Sequence, residues 1–268
     1  MMKKMMQWVL AATLLCGLNV FSSCVNDNND NPVIDNLAEK LQGKWMIATI
    51  EGRPALTSEE LVVTFLSSTY AICSESGADF NETAKKWNDH LLFKVTIDGN
   101  KVTLIGNPSE HITLVREMII KSISDDEIRM IFKHTTLRDG EVVSDDAPVA
   151  MRLGKVDEDY SLAIQGLWEG SLSDGEFSRW EFFDDGTFHF YRQVDGIWQL
   201  VDDEFSDYFV DGILFCSRWK NAGENTIEKR EWFNIKIEDD EMKWMALIMR
   251  EDGTLDVRTI ELTQIPED

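Results

Sequence analysis

Leu41-Gln42-Gly43-Lys44-Trp45 recurs as Ile164-Gln165-Gly166-Leu167-Trp168, and this repetition decides how the rest of the chain is read. Farther on, Glu117-Met118-Ile119-Ile120-Lys121-Ser122-Ile123 and the Asp125-Asp126-Glu127 behind it are matched by Glu231-Trp232-Phe233-Asn234-Ile235-Lys236-Ile237 and Asp239-Asp240-Glu241. Each half then carries an Asp-Gly pair, Asp139-Gly140 and Asp252-Gly253. Three matches in one order indicate a duplicated unit. One copy occupies 41–156 and the other 164–265, divided by the acidic Asp157-Glu158-Asp159.

Each copy reads as a meander of antiparallel strands. In the second, strands over 177–183 and 187–192 flank Asp184-Asp185-Gly186, residues that tolerate the positive φ of a tight hairpin. Strands over 230–237 and 242–249 flank the next acidic turn, and one over 254–265 ends the copy. In the first copy, strands over 91–97 and 101–105 flank Asp98-Gly99-Asn100. A short helix is expected over 79–88, inserted in a loop. Evenly spaced strands with tight turns predict an all-β chain of two tandem antiparallel up-and-down barrels.

At the amino end, Lys3 and Lys4 precede an apolar run from Trp8 to Phe21, too short to span a bilayer as a stable anchor. The run ends Phe21-Ser22-Ser23-Cys24 and gives way to Val25-Asn26-Asp27-Asn28-Asn29-Asp30-Asn31-Pro32, which cannot bury apolar surface. Small residues before a cysteine resemble the lipobox of bacterial lipoproteins, with Phe21 where leucine is usual. The resemblance implies a signal peptide over 1–23, a diacylglycerol on the Cys24 sulfur and a flexible tether over 24–40. The acidic tract is also similar to surface-export signals of Bacteroidetes-type lipoproteins. The implied location is the cell envelope, with the chain held on the outer membrane through Cys24 and the leaflet left open.

The 268 residues carry a formal charge of −23. Lys3 and Lys4 are the only charges before Cys24, so a processed chain holds 24 basic against 49 acidic residues, or −25. Such a field repels phosphate backbones and anionic lipid, which excludes nucleic acid as a partner and leaves membrane attachment to the covalent lipid. Beyond Cys24 only Cys73 and Cys216 remain. They are too few for a disulfide framework and are expected as two unpaired thiols.

Gly-x-Trp opening a meander of about eight strands resembles the lipocalins and related calycins. Two such copies behind a lipobox are similar to the lipocalin-like domains of Bacteroidetes lipoproteins, and the resemblance covers both copies. It implies that Trp45 and Trp168, introduced by Gly43 and Gly166, close the narrow ends of the barrels. A last-strand arginine would lie across each ring, with Arg152 and Arg258 as candidates. Each copy is shorter than a typical lipocalin, which argues against a large cavity.

His90, His111, His134 and His189 are scattered without metal-ligand spacing, and there is neither a Gly-x-Ser-x-Gly elbow nor a phosphate-cradling glycine loop. No catalytic residue, metal or cofactor is expected. Tryptophan is the enriched resource: Trp168, Trp180, Trp198, Trp219, Trp232 and Trp244, six of the nine, fall in the second copy. By strand alternation Trp180 and Phe182 share one face, as do Phe188 and Phe190, while His189 points away from both. The neighbours Phe182-Phe183, Trp232-Phe233 and Trp244-Met245 each leave one large side chain facing outward.

Two functions fit. The first is a non-catalytic module holding a small hydrophobic ligand in the second barrel, lined by Trp180, Phe182, Phe188, Phe190 and Trp244. It requires an internal cavity open at one end. The second is an interaction protein with filled barrels, whose outward aromatics meet an envelope protein or a glycan. It requires an exposed aromatic patch instead.

Overall fold

The computed structural model describes residues 34–76, 80–81, 86–87, 90–172, 175–223 and 227–266. The expected signal peptide, Cys24 and most of the expected tether lie outside the described residues. The described chain begins with helix α1 (Leu37–Lys40) and then turns almost wholly to strand. In the first half these are β1 (Gly43–Ile50), β2 (Arg53–Pro54), β3 (Leu61–Phe65), β4 (Tyr70–Glu75), β5 (Phe80–Asn81), β6 (Lys86–Trp87), β7 (Leu91–Asp98), β8 (Lys101–Ser109), β9 (Ile112–Ile123), β10 (Glu127–Arg138), β11 (Glu141–Asp145) and β12 (Val149–Val156). In the second half they are β13 (Gly166–Ser171), β14 (Phe177–Phe182), β15 (Phe188–Val194), β16 (Ile197–Leu200), β17 (Asp203–Asp211), β18 (Leu214–Asn221), β19 (Lys229–Glu238), β20 (Glu241–Met249) and β21 (Leu255–Ile265). A 3-10 turn, Thr57–Glu59, lies between β2 and β3.

The first sheet closes on itself as an eight-stranded barrel. Neighbours in sequence pair around the ring, β9 joins β10, and β12 returns to β1 with Lys44 opposite Val156. Inward and outward residues alternate as the pleat demands. Phe93 and Val95 on β7, and Val102 and Leu104 on β8, are buried in one core with Trp45, Val63, Met118, Ile120, Ile128 and Leu153. Leu37 and Leu41 are buried in the same core and Ile34 packs against it, so the chain joins this barrel ahead of the boundary expected at residue 41.

The second sheet runs β16-β15-β14-β13-β21-β20-β19-β18-β17 and curls without closing fully. Near the turn before β15, the Tyr208 N–H donates to the Gly186 carbonyl (2.8 Å), Thr187 bridges Asp207, and the Ser206 hydroxyl donates to the Phe188 carbonyl. Farther along, β15 turns its bonds to β16, which leaves a parting beside β17. A second core fills this sheet around Trp168, Phe182, Phe215, Phe233, Ile235, Met242 and Leu262.

The recurring pentapeptide has one physical basis in both halves. Gly43 and Gly166 adopt φ of 107° and 108°, a region that side-chain-bearing residues rarely enter. That turn swings Trp45 and Trp168 inward, each fully buried. The Trp45 indole N–H donates to the Leu41 carbonyl at 2.8 Å and that of Trp168 to the Ile164 carbonyl at 2.7 Å. A large ring is thereby buried with its polar atom satisfied by the residue that opens its own motif.

Where a helix is expected over 79–88, the described residues, 80–81 and 86–87, are strand instead. Phe80 pairs with Trp87 and Asn81 with Lys86, so β5 and β6 make a small hairpin. An isolated helix of this length is marginal in water, whereas Trp87 is 5% exposed and gains a packed site, edge-on to Phe209 at 5.3 Å. Trp87 belongs to a third core lying between the barrels, with Met46, Val62 and Val156 from one side and Phe209, Leu214 and Cys216 from the other. Trp232 packs against it, which settles where one outward-facing aromatic goes. Cys73 and Cys216 are buried thiols, neither of them in a disulfide.

Candidate functional site

Trp180, Phe182, Phe188, Phe190 and Trp244 all line one cavity of about 220 Å³ inside the second sheet. Strand parity places them there. Trp180 and Phe182 point inward from β14, and the register sets Phe190 opposite Trp180 and Phe188 opposite Phe182. Trp244 stands across from them on β20, 5.5 Å from the Trp180 ring and 4.9 Å from Phe215. Tilted and edge-on contacts of this kind favour a fixed aromatic wall.

The mouth is polar and charged. Arg192 Nε meets Glu176 at 3.0 Å, and Arg258 Nη1 meets Glu231 at 3.3 Å. Lys229 also lines the cavity, its Nζ 5.9 Å from the Trp219 ring centroid. Asp203 Oδ2 lies 2.7 Å from the Ser206 hydroxyl and shares that group's one proton with the Phe188 carbonyl. The floor is thus apolar, and the charges sit where the barrel opens to water.

The arginines proposed as barrel seals stand elsewhere. Arg152 projects outward and meets Glu127 at 3.2 Å. The cation over Trp45 is Lys155, directly opposite in register, with its Nζ 5.6 Å from the ring. Residues an odd number of positions apart on a strand face opposite ways, so the face that holds Lys155 cannot also hold Arg152. Arg258 lies over Phe233, 5.6 Å from its ring, at the mouth of the cavity instead of over Trp168.

The first barrel has a cavity that the sequence did not announce. It measures about 340 Å³, with Glu60, Glu75, Arg116, His134, Thr136 and Asp146 in its wall beside Leu61 and Phe132. Arg116 is 1% exposed and gives Nη2 to Glu75 at 2.6 Å, while its carbon Cζ lies 4.8 Å from the Phe93 ring centroid. Its Nε and Nη1 are enclosed by protein without acceptors. Burial pushes the Cys73 thiol up to about 11, and the neighbouring Arg116 works against that rise. Burial, and then Arg116, lower the pKa of His134. Position alone marks these residues: Arg116 follows the inward period of Met118 and Ile120, a pattern that identifies the face but not what a charge does there.

Among the described residues no group of three His, Cys, Asp or Glu side chains is disposed to hold a metal, and no helix is long and apolar enough to cross a membrane. His189 is half-exposed beside Phe183, their rings 4.8 Å apart, and faces away from the cavity that Phe188 and Phe190 line.

No family model matches the chain, and no curated protein matches it. Among solved structures, one assigned as AttH from Nitrosomonas europaea is similar at 12% identity and a TM-score of 0.22, covering 87% of this chain and 98% of that one. A double mutant of transferrin binding protein B from Haemophilus parasuis is similar at 7% identity and a TM-score of 0.24, covering 78% of this chain and 61% of that one. A single mutant of the same protein gives 8% identity and a TM-score of 0.23, again over 61% of its length. Likenesses at this level leave the functional reading to the chain's own residues.

Proposed function

We propose that the protein is a non-catalytic binding module that holds a small, mainly apolar molecule in its second barrel. The supporting observation is the 220 Å³ cavity, walled by Trp180, Phe182, Phe188, Phe190 and Trp244 and bordered by ion pairs at its mouth. A cavity of roughly 150 Å³ lined by apolar side chains is enough for a benzene ring, so this one suits a body of one or two rings or a short alkyl chain. A polar end on such a molecule would point toward Arg192, Lys229 and Arg258. The expected carrier of the whole is a lipid on Cys24, which places binding at the cell envelope.

Filling the cavity tests the reading. Ser217 lines it and is 5% exposed, so Ser217→Phe places a ring in the space. The probe is 8-anilinonaphthalene-1-sulfonate, followed by its fluorescence and by quenching of tryptophan. The wild type is expected to bind it saturably, and Ser217→Phe at least about tenfold more weakly, a loss of about 1.4 kcal/mol. Equal binding by the two proteins would reject the internal site and favour the outward aromatics, of which Phe177 is 41% exposed and lies 5.7 Å from Trp198.

A further inference from the structure

Glu60 follows the 3-10 turn and lies between the barrels, 5% exposed. Among the described residues no cation pairs with it. Its carboxyl has one hydrogen-bond partner, the Asn234 amide of β19 in the other barrel, whose Nδ2 donates to Oε1 at 2.6 Å. The remaining atom of each group, Glu60 Oε2 and Asn234 Oδ1, is buried without a partner. If Glu60 is ionised, both orphans are acceptors and neither can satisfy the other. A proton on Oε2 turns that oxygen into a donor for Oδ1, and both deficits vanish together.

We propose that Glu60 is held as the neutral acid and that, with the Asn234 amide, it forms a two-bond clasp between the barrels which ionisation opens. The amide donates Nδ2–H to Oε1 and the acid donates Oε2–H to Oδ1, so one face of each group is fully used. Burial pushes the Glu60 carboxyl from its ordinary 4.5 up to about 8, with Asn234 acting in the opposite sense. Charged groups around it are engaged elsewhere. Glu59 on the same turn is held by Arg53, and Glu75 on β4 by Arg116 on β9. His134 and Asp146 face the cavity that Glu60 also lines. The groups of the second barrel that bond to this turn and to Glu60 are uncharged: the Leu247 N–H, which donates to Thr57 Oγ1 at 2.7 Å, and the Asn234 amide.

The sign follows from the folded value lying above the unfolded one. The folded chain keeps a proton that the unfolded chain sheds between 4.5 and about 8, so stability from this group falls as pH rises across that window and levels off above it. A buried carboxylate must be hydrated, and water would enter the seam at the bond from Leu247 to Thr57.

The test compares the full chain with Glu60→Gln, which keeps both bonds because the Gln amide also donates and accepts but cannot titrate. Carbon-13 NMR should show one Glu side-chain carboxyl titrating near 8 in the wild type and missing from Glu60→Gln. Protection of the Leu247 amide from hydrogen exchange, corrected for the intrinsic rate at each pH, should fall by up to about tenfold per unit as pH rises from 4.5 toward 8 in the wild type, level off above that midpoint, and stay level throughout in Glu60→Gln. A Glu60 carboxyl titrating in the ordinary range, or protection falling alike in both proteins, overturns the proposal. The wild-type NMR titration decides alone if Glu60→Gln does not fold. Ligand binding in the second barrel is measured separately, so failure of one leaves the other standing.

Discussion

Gly166 would accept a methyl group sterically, since the nearest atom to an added Cβ is the Gln264 side-chain nitrogen at 3.3 Å. Its φ of 108° would not. Gly166→Ala is therefore expected to cost about 1–3 kcal/mol, measured as a lowered midpoint in denaturant at unchanged slope. Trp168→Phe removes the donor to the Ile164 carbonyl and leaves that buried oxygen to desolvation, again about 1–3 kcal/mol by the same measurement. At this scale the sequence was legible where chemistry and backbone agreed. Gly-x-Trp marks a turn and a ring together, and each half has a positive φ at the glycine and a buried indole at the tryptophan. Arg152 was misread because a cation near the end of the last strand does not declare its face. Lys155, three positions on, has the side of the strand that reaches Trp45. Arg116 and Glu60 were invisible because a charged letter ordinarily means solvent, and only the closed barrel and the seam turn these two inward.

Between β15 and β17 the second sheet is held by a few bonds, one of them from a side chain. Ser206→Ala deletes the hydroxyl that reaches the Phe188 carbonyl, and should cost about 1 kcal/mol. The Tyr208 amide, bonded to the Gly186 carbonyl beside it, should then exchange faster with deuterium while amides of β13 and β14 do not change. Hairpins were the most legible elements because Asp and Gly at a turn have a backbone reason to be there: Asp98-Gly99, Asp139-Gly140 and Asp252-Gly253 all join strands. The hairpin of β5 and β6 had no such signal. Its stretch favours helix by local preference, and burial of Trp87 against the other barrel overrides that preference. The parting beside β17 was equally hidden, since it depends on which of two neighbours β15 bonds rather than on any residue within it.

Across the whole molecule, charge as well as oil joins the two barrels. Lys44 Nζ lies 2.7 Å from both Asp159 and Asp211, and Asp211 also accepts the Ser74 hydroxyl at 2.5 Å. Burial opposes the Lys44 ammonium, but bonds to Asp159 and Asp211 outweigh it and raise the pKa above 10.5. Asp159 is likewise opposed by burial and held below 3.8 by Lys44. The cluster's contribution is thus present through neutral pH, fading as pH falls through the depressed Asp159 value or rises through the elevated Lys44 value. Asp211→Ala is expected to cost about 3 kcal/mol, because it strips a 3% exposed partner from a largely buried cation, and thermal unfolding should remain a single transition at lower temperature. Of this seam, the outward ring of the Trp232-Phe233 pair was all that was legible. Met46, Val62, Phe209 and Leu214 lie on outward faces, and nothing in a strand's alternation tells which outward face another barrel will cover.

Up-and-down connectivity also sets an order of assembly. Nearly every strand of the first barrel pairs with one made just before it, so hairpins can zip as soon as they exist. The exception is β1, whose second partner is β12, with Lys44 waiting for Val156. A chain delivered amino end first therefore carries one open edge, and its fully buried tryptophan has no roof, until more than a hundred further residues have arrived. During that interval β1 is the strand most able to pair with a stranger.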